Sequence, residues 1–219
     1  FSPDGDQGYP GNANITVSYT LTPDDSLVIS YHMVSDSDTV ANFTNHSYFN
    51  LDGQDGGEAM SQRVWIDADT YTAADAGSIP TGEIVPVAGT PMDFTVMKEI
   101  GRDIEAEYEA LILGKGYDHN WILNHVPGET ALSAAAESDK TGIRMEVYTD
   151  LPGMQFYTGN FLGTGPAGKN GMVYAPRYGY CFETQYYPNA VNMPEFPSPV
   201  LKAGEEYRTT TVYRFKRWQ

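Results

Sequence analysis

Apolar and polar residues alternate in short runs along most of this chain, and Gly, Pro, Asn and Asp punctuate the intervals. Period-two alternation marks strands with one buried face, so each run predicts a strand. Residues 13–21 (ANITVSYTL) and 26–33 (SLVISYHM) are two such runs, joined by Thr22-Pro23-Asp24-Asp25, a turn composition that predicts a hairpin. Further strands are predicted over 39–45, 62–67, 82–87, 120–123, 131–137, 142–149, 154–159, 179–185 and 207–215. One stretch differs: between 96 and 113, Ile100, Ile104, Tyr108 and Leu111 recur at helical spacing, but Gly101 interrupts a thin apolar stripe. Only short helical turns are expected there. Four prolines between 188 and 199 cannot donate to a ladder and predict an ordered, extended loop.

Many strands and little helix predict an all-β chain, a large antiparallel β-sandwich, and 219 residues are enough for one such domain. The charge narrows the partners. With Lys+Arg at 13 against Asp+Glu at 29, the formal charge of -16 repels phosphate backbones and anionic lipid. Nucleic acid and membrane surfaces are therefore excluded as expected partners, leaving a neutral or cationic ligand. Cys181 is the only cysteine, so no internal disulfide forms, and a reducing compartment, the cytoplasm, is the expected location. No apolar run approaches the roughly 18 residues of a membrane span, and no secretory start is visible. The chain opens on Phe1 without a Met, which reads as the interior of a domain.

Several motifs carry no function on inspection. Residues 163–168 match G-x-G-x-x-G but contain Pro166 and precede no helical pattern, so a loop is expected. The acidic runs beginning at Asp4 and Asp52 lack the terminal Glu of a calcium loop and read as turns. The Asn14, Asn42 and Asn45 sequons are read as coincidence. None of the four histidines has the spacing of a zinc pair, and no metal site is expected. His32 and His125 read as structural or solvent-facing, which leaves His46 and the Asp118-His119-Asn120 cluster.

Glu183, in Phe182-Glu183-Thr184-Gln185, and His46, in Thr44-Asn45-His46-Ser47-Tyr48-Phe49-Asn50-Leu51, offer a carboxylate and an imidazole from two strand-like runs. Projecting from neighbouring strands into one cleft, they would form a base and an acid. An imidazole holds a transferable proton near neutrality, and a carboxylate becomes a better base when burial lifts its pKa.

Six segments, in order, are similar to the aldose 1-epimerase (galactose mutarotase) family: residues 4–11 (DGDQGYPG), 44–51, 116–120 (GYDHN), 155–160 (QFYTGN), 182–185 and 196–207 (FPSPVLKAGEEY). The resemblance implies the galactose mutarotase-like supersandwich, with a few short helical turns. It implies exchange of the α and β anomers of free hexoses such as galactose and glucose, with Glu183 as general base and His46 as general acid, and with no cofactor. By the same resemblance Asp118, Gln155 and Gln185 face the sugar, with Tyr48 and Phe156 as an apolar wall. The family's N-terminal part has no counterpart before Phe1. Residues 1–219 are therefore expected to be one sandwich domain, the C-terminal two-thirds of a longer one, which needs the missing segment in cis or as a second chain and otherwise exposes an apolar edge. Two other classes fit the residues. A non-catalytic carbohydrate-binding sandwich needs no convergence of Glu183 and His46, and a glycoside hydrolase would pair Glu183 with Asp118. A sugar-phosphate substrate is disfavoured by the lack of an Arg or Lys cluster.

Overall fold

The computed structural model describes residues 1–163 and 165–218, so Thr164, within the expected loop 163–168, lies outside the described residues. The strands are β1 (Ala13–Leu21), β2 (Ser26–Ser35), β3 (Thr39–Val40), β4 (Arg63–Ile66), β5 (Thr70–Ala74), β6 (Pro80–Pro86) and β7 (Lys98–Glu99). There follow β8 (Asp118–Ile122), β9 (Ala131–Glu137), β10 (Ile143–Thr149), β11 (Gly153–Tyr157), β12 (Cys181–Gln185), β13 (Val200–Leu201) and β14 (Glu206–Arg217). Among the described residues helix is confined to α1 (Glu109–Gly114) and short 3-10 turns, including Ile100–Arg102, as the interrupted stripe predicts.

Seven strands form one sheet in the order β1-β2-β14-β10-β9-β4-β7, and five form a second in the order β12-β11-β8-β5-β6, every pairing antiparallel. The expected all-β sandwich is present. The predicted hairpin closes with Leu21 opposite Leu27. The sheets meet through Ile29, Val64, Ile66, Met145, Val147 and Tyr213 on one side and Trp121, Met154, Phe156 and Phe182 on the other. At the centre Phe156 stacks on Phe182 with centroids 5.2 Å apart and meets Phe94 edge-on at 5.4 Å. Such pairs add about 0.5–1.5 kcal/mol each beyond burial. The Tyr213 hydroxyl crosses between the sheets to donate to the Phe182 carbonyl at 2.6 Å, which ties down the outer edge of β12.

The predicted strand over 39–45 is corrected: only Thr39–Val40 pairs, with β13, and the chain then runs on as an irregular extended segment. Its polar groups are engaged laterally instead. Asn42 donates to the Tyr186 carbonyl at 3.0 Å and accepts from the Tyr186 N–H at 2.8 Å. Phe49 exchanges both backbone bonds with Tyr180, and Asn45 accepts from the Tyr213 hydroxyl. The segment is thus strapped at both ends to the residues flanking β12, and His46 lies across it.

At the other end of the structure β1 is an edge strand, and Ile15, Val17, Tyr19 and Leu21, all on one face, are exposed. An unpaired edge with an apolar stripe promotes association. Replacing Val17 and Leu21 together by Lys is expected to reduce concentration-dependent self-association of this chain in light scattering while the circular dichroism stays unchanged. Equal association in both proteins would show that another surface is responsible. None of the helices among the described residues is long and apolar enough to cross a membrane.

Candidate active site

Alternation along β8, β11 and β12 divides each strand between the core and the opposite face of the five-stranded sheet. Phe182 and Thr184, Met154 and Phe156, and His119 and Trp121 turn inward and are buried. Cys181, Glu183 and Gln185, with Tyr157, Gln155 and Gly153 and with Asp118, Asn120 and Ile122, share the other face. The register places them in three rows: Cys181–Tyr157–Asp118, Glu183–Gln155–Asn120 and Gln185–Gly153–Ile122.

Gly153 is required by close approach. A Cβ there would lie 2.5 Å from Asn120 Oδ1 and 2.8 Å from the Tyr187 ring. Its absence lets Gln185 Nε2 reach over the middle strand to Asn120 Oδ1 at 3.2 Å and to Gln155 Oε1 at 3.2 Å. Gln155 in turn donates through Nε2 to Asp118 Oδ1 at 2.7 Å. A carboxylate only accepts, so this chain of amides has one orientation: Asp118 fixes Gln155, and Gln155 fixes Gln185. Asn120 Nδ2 is left as a buried donor without a protein partner.

His46 sits over the first row, its Nε2 3.7 Å from Glu183 Oε1 and its Nδ1 3.3 Å from Cys181 Sγ. The Tyr48 ring lies 5.0 Å and the Tyr157 ring 5.8 Å from the imidazole, so aromatic rings flank it on two sides. Glu183 is only 8 % exposed. Burial, with the charge of Asp118 adding to it, pushes the Glu183 carboxyl up to about 7. Burial also raises Asp118, against the Gln155 hydrogen bond and the His46 charge. A carboxyl whose ionisation is disfavoured by burial and by a second carboxylate, set beside an imidazole, is an arrangement suited to proton transfer.

The sequence-predicted residues Glu183, His46, Asp118, Gln155, Gln185 and Tyr48 lie together on this face or against it. Phe156 does not, and its expected role as a sugar wall is corrected: it is fully buried between the sheets because Gln155, its neighbour, faces the site. His119 likewise turns into the core, where burial lowers it to about 4, and it takes no part in the site. Tyr157, Asn120 and Cys181 were not anticipated; period-two alternation from Gln155, Asp118 and Glu183 is the signal that points to them. Among the described residues, His46, Cys181 and Glu183 are the group whose donor atoms come within 4.8 Å of one another.

Asp118→Asn is expected to move the acidic limb of any Glu183-dependent activity to lower pH, because it removes the charge that helps hold the Glu183 proton. Loss of a charged hydrogen-bond acceptor should also raise KM about 10- to 100-fold. A limb that stays in place would show that Asp118 does not act on Glu183.

The fold and this face together define a mutarotase-like β-sandwich protein with a carboxylate–imidazole pair set in an amide-lined sheet. The aldose 1-epimerase family pattern matches residues 1–214, and the chain belongs to that family. Human galactose mutarotase is 44 % identical over 214 residues, 98 % of this chain and 60 % of the relative's own length. The aldose 1-epimerase of Escherichia coli K12 is 39 % identical over 216 residues, 98 % of this chain and 62 % of its own length. The crystal structure of galactose 1-epimerase from Lactobacillus acidophilus superposes with a TM-score of 0.86 at 30 % identity, covering all of this chain and 61 % of that one. An aldose epimerase homologue from C. elegans gives the same TM-score at 29 % identity, covering 99 % and 64 %. The chain thus spans about three-fifths of the length of the relatives it matches.

Proposed function

We propose that this chain carries the proton-transfer centre of an aldose 1-epimerase acting on free hexoses such as galactose and glucose. The observation that carries the reading is the 3.7 Å approach of His46 Nε2 to a Glu183 carboxyl whose pKa lies near 7. In a cyclic aldose the anomeric hydroxyl oxygen and the ring oxygen share one carbon, so the base for one and the acid for the other must stand side by side. Glu183 takes the anomeric hydroxyl proton, the bond from C1 to the ring oxygen breaks, and His46 delivers a proton to that oxygen. The aldehyde turns about its bond to C2, and the same transfers in reverse close the ring on either face. Each positioned transfer is worth about a hundred- to ten-thousandfold. The step consumes no electrons and needs no cofactor.

Asp118 and Gln155, linked to each other and rigidly oriented, are suited to hold sugar hydroxyls, with Gln185 behind them and Tyr48 as the apolar wall. The names of the relatives support the reaction and, for galactose, the substrate. We place the 219 residues in a single sandwich domain. A buried free thiol at Cys181 is in keeping with the cytoplasm.

Magnetisation exchange between the α and β anomeric protons of galactose tests this directly. Exchange faster than in buffer, with no monosaccharide released from a disaccharide, is the expected result. Hydrolysis of the disaccharide would select the glycosidase reading with Glu183 and Asp118, and sugar-induced shifts in the protein without exchange would select a binding module.

A further inference from the structure

Cys181 reaches a nitrogen of the imidazole, yet the proposed chemistry gives it no task. Its residue is fully buried, yet its sulfur points out of the core toward the site, 3.3 Å from His46 Nδ1. We propose that Cys181 is the positioning residue that orients His46 and fixes which of its nitrogens carries the proton.

If His46 delivers its proton from Nε2, the nitrogen facing Glu183, then the ring must begin doubly protonated and end with its remaining proton on Nδ1. A partner at Nδ1 therefore has to accept a hydrogen bond both before and after the transfer. Free solvent would do this without fixing the plane of the ring, and His46 is half exposed and lies on an irregular segment that supplies no rigid strand beneath it. A carboxylate at Nδ1 would hold the ring firmly but would stabilise the imidazolium and weaken it as an acid. A neutral thiol is a weak acceptor and a weak donor. It holds the ring in register while adding no charge that opposes release of the proton.

The surroundings keep the thiol neutral. Burial raises its pKa, and the charges of Glu183 and Asp118 add to this. The groups facing the imidazole are Cys181 and Glu183 from β12, Tyr157 from β11, Tyr48 from its own segment, and Asp118 on β8 at longer range. Of these only Cys181 reaches Nδ1, so holding the proton at that nitrogen falls to it. Cys181 is fixed in turn by the strand: it pairs with Tyr157 in the β11–β12 ladder, and Tyr180 beside it is bonded to Phe49, three residues beyond His46. The same strand thus locates the base, the partner of the acid and the end of the segment that bears the acid.

This role rests on the proposed function only for its kinetic consequence, and the decisive test does not need activity. Nitrogen-15 spectra of the histidine-labelled chain, with His46 assigned from His46→Gln, report the tautomer of the neutral ring. Wild type is expected to show the Nδ1–H form predominating, and Cys181→Ala a mixture of the two forms. Cys181→Ser, which keeps a hydroxyl donor and acceptor, should restore the wild-type ratio. The same ratio in wild type and Cys181→Ala would overturn the proposal whether or not the chain exchanges anomers. In kinetics, Cys181→Ala should lower kcat about 10- to 100-fold with KM nearly unchanged, the cost of a misoriented group. Cys181→Ser should recover most of that loss, and an unchanged kcat in Cys181→Ala would again count against the role.

Discussion

Glu183→Gln is expected to lower anomer exchange by at least the hundred- to ten-thousandfold of a lost general base, and to stabilise the folded chain at the same time. The two effects share one cause. The Glu183 carboxyl stands at about 7 in the folded chain against its usual 4.5, because burial and Asp118 disfavour its charge. Below about pH 4.5 the group is protonated in folded and unfolded chains alike, and nothing is lost. Between about pH 4.5 and 7 the unfolded chain gives up this proton while the folded chain keeps it, so stability falls across that window by on the order of 3 kcal/mol, at about 1.36 kcal/mol per pH unit. An amide of the same shape avoids that cost. The variant should therefore melt roughly 5–10 °C higher than wild type at about pH 8 and show no gain near pH 4. Scanning calorimetry at the two pH values checks this. A variant that melts lower at both would mean that Glu183 is held by contacts its amide cannot make.

Phe156→Ala carries the second large effect, in stability. The ring is fully buried where Phe94, Tyr117, Trp121, Tyr180 and Phe182 converge on it. Removing it leaves a cavity between the sheets and should cost about 3–5 kcal/mol in denaturant unfolding. The fraction that remains folded should hold sugar as tightly as wild type, since Gln155 and not Phe156 faces the site. A variant of normal stability with weakened sugar affinity would restore Phe156 to the sugar wall and contradict the register of β11.

That residue also shows how far the sequence could be read. Alternation places neighbours on opposite faces of a strand, so Gln155 and Phe156 could not both face a sugar, and the pattern itself held the correction. The same rule links Cys181 to Glu183, Asn120 to Asp118 and Tyr157 to Gln155. Within a strand the site face was legible. Which strands lie side by side was not, because the register of β8, β11 and β12 arises from contacts between residues up to 65 positions apart. The hairpin of β1 and β2 and the strand β9 were visible from alternation and turn composition alone. The strand β5 was missed because its five residues, TYTAA, carry a single large apolar side chain, Tyr71, and β7 and β13 because two residues carry no period. The His46 segment was read as a strand from its composition, yet it is held by the side chains of Asn42 and Asn45 and by one isolated backbone pair, Phe49 with Tyr180, and not by a continuous ladder. Those two asparagines, which resemble glycosylation sequons, have a structural use instead.

If Glu183 and His46 exchange protons with a free aldose, the rate of mutarotation must follow the ionisation of Glu183. Polarimetry of freshly dissolved α-galactose should follow the approach to anomeric equilibrium from about pH 5 to 9 with wild type and Glu183→Gln, each set against buffer. The expected result is an acceleration that rises with pH through about 7, the region where Glu183 loses its proton, and that is absent from the variant at every pH. An acceleration of equal size in the variant, or a profile flat through that region, would contradict it.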